Sequence, residues 1–535
     1  MGAALIAVTL AAFGVIVVKL YSGAQTTASP ATLRTDNAAC TKTAEVTVTV
    51  TPELQPIISA GAARAKAKGV CANYRIEASA SKKAAAELDA KHTTVWIPDS
   101  STWLDGLPLS TADDWIVGSN VAHSPIGLAG PSSLEDRLEM DSWAAALRGR
   151  TPMIMANPDN DTSSRLAFYD GIGDIGTVDV AVGARLIFLS RNARPDANAI
   201  LTAVSTDPAK AAPFPLSEQQ VFAWNRDHPD QPLSVHIPSK GTQVMDYPMI
   251  TPRNLDAARQ QAVETLANVL VSDIAVADFA AAGFRTFTDK GGPTLPGDAA
   301  AAYTVNKLPS AGQRQVAVEQ WQVLRTDMRM LAVLDVSGSM GESSGASQQT
   351  RWGVLASAAG EALSSLPASS KVGTWVFSTN LIGAQPWAPM ADIEALNAQD
   401  GVTTHRERLR ALVDSAGSRL GGDTGLYVTT IEAFRSVKKS YDGKYINSVV
   451  ILTDGVNDFP GSSYSLTNLL ADLKAEFDPK KPVRIITIGM GDADPKALKK
   501  ISAATGGTSY IAQTGDVIQQ VLVEALLARP LPVTK

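Results

Sequence analysis

Asp335, Ser337 and Ser339 stand at alternate positions directly after the apolar run 330–334. If that run is a buried strand, three oxygen-bearing side chains leave its end into one crevice. Doubly wound sheets bind ligands there, beyond the carboxyl ends of strands at the switch point of strand order. Two later segments offer partners, Gly422-Asp423-Thr424-Gly425 and Leu452-Thr453-Asp454-Gly455, the second closing the apolar run 449–453. Asp335, Ser337, Ser339, Thr424 and Asp454 form an all-oxygen set with few formal charges. Such a set suits Mg²⁺, which keeps several waters and prefers contacts of about 2.0–2.1 Å, with Mn²⁺ and Ca²⁺ as alternatives. One Asp or Ser at a strand end is commonly a helix cap, so the signal lies in the set. An EF-hand fails, because Met340 and Ala346 stand where that loop needs Gly and Glu. Gly341-Glu342-Ser343-Ser344-Gly345 matches the hydrolase pattern G-x-S-x-G. It lies well past the strand end, without the strand–turn–helix context the pattern requires, and only His405 follows as a base.

Composition narrows the chemistry further. Five histidines and two cysteines among 535 residues cannot build a zinc ribbon, a CxxC redox pair or an HExxH helix. A net charge of −6, from 47 basic and 53 acidic residues, argues against a nucleic-acid partner. Apolar residues at 45% and charged residues at 19% are those of ordinary globular protein. The length exceeds one core, since domains hold about 100–200 residues each.

Residues 2–18 carry no charge and one polar side chain, Thr9. This run sits at the lower limit of the roughly 17–25 residues that span a bilayer. It reads either as an uncleaved signal anchor or as a signal peptide cut after Ala24. No Lys or Arg precedes it, which suggests a basic stub ahead of Met1. We favour a single-pass anchor over 1–22 and a polar tether over 23–39. The bulk of the chain is then outside the cytoplasm, and secreted if the segment is cleaved. An exported chain with two cysteines most simply pairs them, Cys40 with Cys71.

Between these features strands and helices alternate, which predicts parallel βαβ units. Strands are expected over 44–50, 74–78, 93–97, 121–129, 152–156, 185–190 and 233–237, and a long helix over 254–282. Residues 286–325 show no clear periodicity, and the end of this stretch reads as the junction to a second domain. Beyond it, strands over 330–334, 372–378, 449–453 and 483–489 alternate with helices over 350–366, 405–420, 466–477, 495–505 and 519–527.

The second half, 328–535, resembles the von Willebrand factor A domain and its metal-ion-dependent adhesion site. The family pattern is D-x-S-x-S, a separate Thr and a separate Asp at a strand end, matched by Asp335/Ser337/Ser339, Thr424 and Asp454. The resemblance implies that Ser337, Ser339 and Thr424 contact the metal directly and that Asp335 and Asp454 act mostly through water. An open position then takes a carboxylate from a protein partner. The first half, 40–325, is similar to bacterial extracytoplasmic solute-binding proteins, two α/β lobes joined by crossing strands. The segments that carry this are Val95-Trp96-Ile97-Pro98-Asp99-Ser100-Ser101-Thr102-Trp103, Ser124-Pro125-Ile126-Gly127, Phe214-Pro215-Leu216-Ser217-Glu218-Gln219 and Asp246-Tyr247-Pro248. The fold class is therefore α/β, a bilobal solute-binding domain followed by a doubly wound Rossmann-like A domain. Ser100, Ser101, Trp103, Ser124, Thr162 and Ser163 are candidate contacts for a small polar ligand between the lobes. Each hydroxyl among them, taken singly, reads more readily as a helix cap than as a ligand contact.

The expected function is that of a membrane-anchored binding, adhesion or scaffold protein rather than an enzyme, tied to the cytoplasmic membrane by its N-terminal segment. The alternative is a solute receptor that delivers a small polar or anionic ligand to an importer.

Overall fold

The computed structural model describes residues 40, 43–107, 113–149, 151–175, 180–296, 302–344 and 349–512. The expected anchor over 1–22, the tether over 23–39 and the expected helix over 519–527 lie outside these. Among the described residues no helix is long and apolar enough to cross a membrane.

The first domain has two sheets. Strands β1 (Ala44–Val50), β2 (Ala72–Ala78), β3 (Val95–Ile97) and β4 (Trp115–Asn120) belong to the first. Strands β5 (Ser124–Pro131), β6 (Phe214–Ser217), β7 (Leu233–His236) and β8 (Val244–Met245) form the second, and β9 (Pro248–Pro252) returns to the first. The first sheet runs β2-β1-β3-β9-β4, with β1 parallel to β2 and β3. Between β1 and β2 the chain forms helix α1 (Gln55–Ala67), and a disulfide joins Cys40 to Cys71 across the same unit, Cα to Cα 5.6 Å. The chain crosses between lobes after β4 and again between β8 and β9. There the Val121 N–H donates to the Tyr247 carbonyl, and Tyr247 takes a positive φ of 37°.

The second lobe departs from the parallel pattern expected of it. Its β5 pairs antiparallel with β6, β7 and β8. Residues 152–156 make only a single bridge, Ala156 to Arg194. The expected strand over 185–190 lies inside a helix. Helix α2 (Thr162–Ile175) and helix α3 (Val180–Asn192) supply much of this lobe's core. In α3, Val182, Leu186 and Leu189 are buried three and four residues apart, the period of a helix face. Helix α4 (Glu218–Asp227) starts at a capping box made by Ser217 and Gln220. The long helix expected over 254–282 breaks at Ser272 into α5 (Ala257–Leu270) and a second helix, Asp273–Ala281. The aperiodic region ends in α6 (Ala311–Arg325), opened by a capping box of Ser310 and Gln313.

Helix α6 spans both lobes. Trp321 is fully buried against Phe168 of α2, ring centroids 5.0 Å apart. Arg314 makes a two-pronged pair with Asp105 of the first lobe, 2.6 Å on each prong. Thr326 and Asp327 then lead into the second domain, and Asp327 pairs with Arg191 of α3.

The second domain is one sheet of six strands: β10 (Met328–Asp335), β11 (Lys371–Ile382), β12 (Gln385–Ala395), β15 (Ile446–Thr453), β16 (Val483–Gly489) and β17 (Ser509–Ile511). A small hairpin, β13 (Gln399–Asp400) with β14 (Thr403–Thr404), lies apart from it. The order is β12-β11-β10-β15-β16-β17, parallel except for the edge strand β12. Strands buried on both faces read as continuous apolar runs, as 330–334 of β10 and 449–452 of β15 do. Helices α7 (Arg351–Ser365) and α8 (His405–Ala416) contribute to the core on one face. Helices α9 (Leu426–Lys439), α10 (Leu466–Glu476) and α11 (Pro495–Ala503) contribute to the core on the other. The chain steps from β10 to β11 on one side and later fills β15 on the other. The switch point therefore lies between β10 and β15.

Candidate metal centre

Asp335 ends β10 and Asp454 follows β15, so the two carboxylates flank the switch point. Both are fully buried. Asp335 Oδ1 accepts the Ser337 N–H at 2.9 Å and Oδ2 accepts the Thr453 hydroxyl at 2.5 Å. These two bonds fix the loop leaving β10 against the end of β15. Burial pushes the Asp335 carboxyl up to about 6, with the nearby Asp454 charge adding to it. Beyond Asp335 the chain makes a short 3₁₀ turn, Gly338–Gly341, which brings Ser339 back beside Ser337. Their Oγ atoms are 3.2 Å apart, and the Ser339 hydroxyl donates to Asp454 Oδ1 at 2.8 Å.

Thr424 arrives on a third loop, just before α9. That loop is pinned to the first by Gly338 N–H to Gly422 C=O and by Gly421 N–H to Val336 C=O, each 2.9 Å. Gly422 has a φ of +76°, and a Cβ there would meet Ser378 Oγ at 2.6 Å. Thr424 is buried, and its Oγ1 lies 3.1 Å from where a Cβ on Gly455 would sit, beside Asp454. The five residues named from the sequence thus converge, through direct bonds for four and loop contacts for Thr424. Hydroxyl and carboxylate oxygens in such a crevice fit a hard cation that retains waters. A group of three or more His, Cys, Asp or Glu able to hold a metal is absent among the described residues, so the donor set depends on Ser and Thr.

Two residues outside the five-residue set join the candidate centre. Thr453 holds Asp335, and its only signal is its place as the last residue of β15. Arg351, the first residue of α7, donates to Asp454 Oδ2 at 2.8 Å, and no spacing from the motif announces it.

Residues 46–285 match the family model described as bacterial extracellular solute-binding protein, and residues 330–523 match the von Willebrand factor type A domain. The chain is a solute-binding domain followed by a von Willebrand factor type A domain. No curated protein matches it. Among solved structures, a von Willebrand factor type A protein from Catenulispora acidiphila is 20% identical with a TM-score of 0.27, over 38% of this chain and 42% of that one. The chain thus spans less than half of that relative. A periplasmic thiamin binding protein is 10% identical with a TM-score of 0.42, over 53% of this chain and 97% of that one. A Bordetella ferric binding protein is 16% identical with a TM-score of 0.37, over 52% and 98%.

In the solute-binding domain, the six candidate ligand contacts all serve internal bonds. Ser100 caps a 3₁₀ turn through the Thr102 N–H, and the Ser101 N–H donates to Asp246. Ser124 accepts the Gln219 N–H at 2.9 Å, and the Ser163 hydroxyl donates to Gln220 at 2.7 Å. Trp103 Nε1 donates to Asp99 at 2.9 Å and to Thr162 Oγ1 at 3.0 Å, while the Thr162 hydroxyl donates to Asp99 at 2.7 Å. Arg165 of α2 stacks on the Trp103 ring at 3.7 Å and donates to the Thr102 carbonyl. These last bonds join the lobes directly. Nearby, Asp161 accepts the Ser164 and Ala197 N–H groups, and Asp159 pairs with Lys82 of the other lobe.

Proposed function

We propose that the protein is an extracytoplasmic, membrane-anchored binding or scaffold protein without catalytic activity, whose A domain captures a partner's Asp or Glu through Mg²⁺. The observation that carries this reading is the junction of Ser337, Ser339 and Asp454 at the sheet's switch point, with Asp335 and Thr424 held to the same loops. Ser337, Ser339 and Thr424 would hold the ion directly, and Asp335 and Asp454 mostly through water. The bound ion supplies a positive position open to a carboxylate oxygen. The chain's own residues bring the three loops together and neutralise the ion's charge. The apolar run 2–18 supports an anchor, and the disulfide agrees with an oxidising compartment.

A solute-receptor role draws support from the family match over 46–285. Entry of a solute would first require opening Thr162–Asp99, Trp103–Thr162 and Arg165–Thr102, so we assign the two lobes chiefly to recognition and spacing. The test is partner capture from envelope extract by wild type and Asp335→Ala, each with and without EDTA. Capture by wild type without EDTA, lost in the other three arms, is the expected outcome. Equal capture in all four contradicts the reading.

A further inference from the structure

Arg351 occupies a position that its own helix does not favour. A cation at a helix N-terminus faces the positive end of the helix dipole, so the reason for this arginine lies outside α7. Its guanidinium bridges three loops. One nitrogen donates to Asp454 Oδ2 at 2.8 Å, the other to Asp492 at 2.9 Å, and Glu342 lies 3.6 Å away. The Arg351 side chain is 13% exposed against 0% for Asp454. Space for it is kept by Gly491, whose φ is +55° and where a Cβ would stand 2.8 Å from the Arg351 Cζ. Asp454 therefore has both oxygens engaged, one by the Ser339 hydroxyl and one by the guanidinium. A buried carboxylate without a cation is costly, and here Arg351 provides the charge that a bound metal would otherwise bring.

We propose that Arg351 is the resident counter-cation of the metal centre: it holds the metal-free site assembled and, by lending Asp454 a positive charge, weakens binding of the divalent ion. The inference rests on the metal-centre reading. It makes loading a competition between a fixed guanidinium and a free ion for the same carboxylate. A site of this kind stays in shape when empty and fills only where the ion is abundant.

The test is calorimetric titration of the full chain with Mg²⁺ for wild type, Arg351→Gln, Arg351→Lys and Asp335→Ala, with melting temperatures taken without and with saturating Mg²⁺. Removing a unit charge next to a divalent ion is expected to tighten binding on the order of tenfold in Arg351→Gln. Arg351→Lys, which keeps the charge, should bind as wild type does. Without Mg²⁺, Arg351→Gln should melt below Arg351→Lys, and saturating Mg²⁺ should narrow that gap. Unchanged or weaker Mg²⁺ binding by a folded Arg351→Gln overturns the inference while leaving the metal centre standing. So does an Arg351→Gln protein that stays unfolded at saturating Mg²⁺. If neither wild type nor Arg351→Gln binds Mg²⁺, or if Asp335→Ala binds as wild type does, the metal-centre reading itself falls, and the inference with it.

Discussion

Asp335 is a positioning residue as much as a proposed metal partner, because its two oxygens are spent on the Ser337 N–H and the Thr453 hydroxyl. The D-x-S-x-S spacing follows from this: Asp turns back on the backbone of the first Ser, and the 3₁₀ turn returns the second Ser to its side. Those residues were legible because their chemistry is local in sequence. Arg351 was not, since its partners Asp454 and Asp492 lie more than a hundred positions away and meet it only once β15 and β16 are in place. A second residue-scale consequence concerns Asp170. It is buried, accepts both bonds it makes from Asn306, and burial pushes its carboxyl from 3.8 up to about 7. The folded state then holds this proton where the unfolded chain has released it. Asp170 therefore costs stability as pH rises from about 4 through about 7, by up to ~1.4 kcal/mol per unit. Denaturation of wild type and Asp170→Asn across that range should show the stability difference moving steadily in the variant's favour. A constant difference would refute the assignment.

The elements that carry the candidate metal centre announce themselves, and those of the second lobe do not. Residues 330–334 of β10 and 449–452 of β15 are apolar because both faces are covered, and helix caps such as Thr350 before α7 mark where each crossover begins. In contrast, Val180–Asn192 is apolar enough to read as a strand or a helix, and only the packing of Leu186 and Leu189 decides it. The antiparallel pairing of β5 depends on partners about a hundred residues away, which no local pattern encodes. Helix α6 hid for another reason, since only Ala317, Trp321 and Leu324 are buried and the valines between them break up any clear apolar stripe. It clamps the lobes through Arg314 and Asp105, whose side chains are 14% and 12% exposed. Arg314→Ala strands a mostly buried carboxylate and should cost on the order of 2 kcal/mol, between the values for exposed and buried pairs. Urea denaturation reads this directly, and a loss below ~0.5 kcal/mol would contradict the clamp.

At the scale of the whole molecule, two residues separate the clamp from the central strand of the A domain. Trp321 anchors α6 in the solute-binding domain, Asp327 pairs with Arg191, and β10 begins at Met328 and ends at Asp335. The candidate metal centre is thus held by a strand whose other end is tied to the lobes, which suits the proposed role of presenting one binding edge at a defined place. The scarcity of histidine and cysteine fits the same account, because the proposed metal donors are only Asp, Ser and Thr oxygens. The most direct test of the central claim is diffraction from crystals of the protein grown with Mn²⁺ and measured for anomalous signal. The account predicts a single strong peak in the crevice between the hydroxyls of Ser337, Ser339 and Thr424. A fully loaded crystal with no peak in that crevice would contradict it.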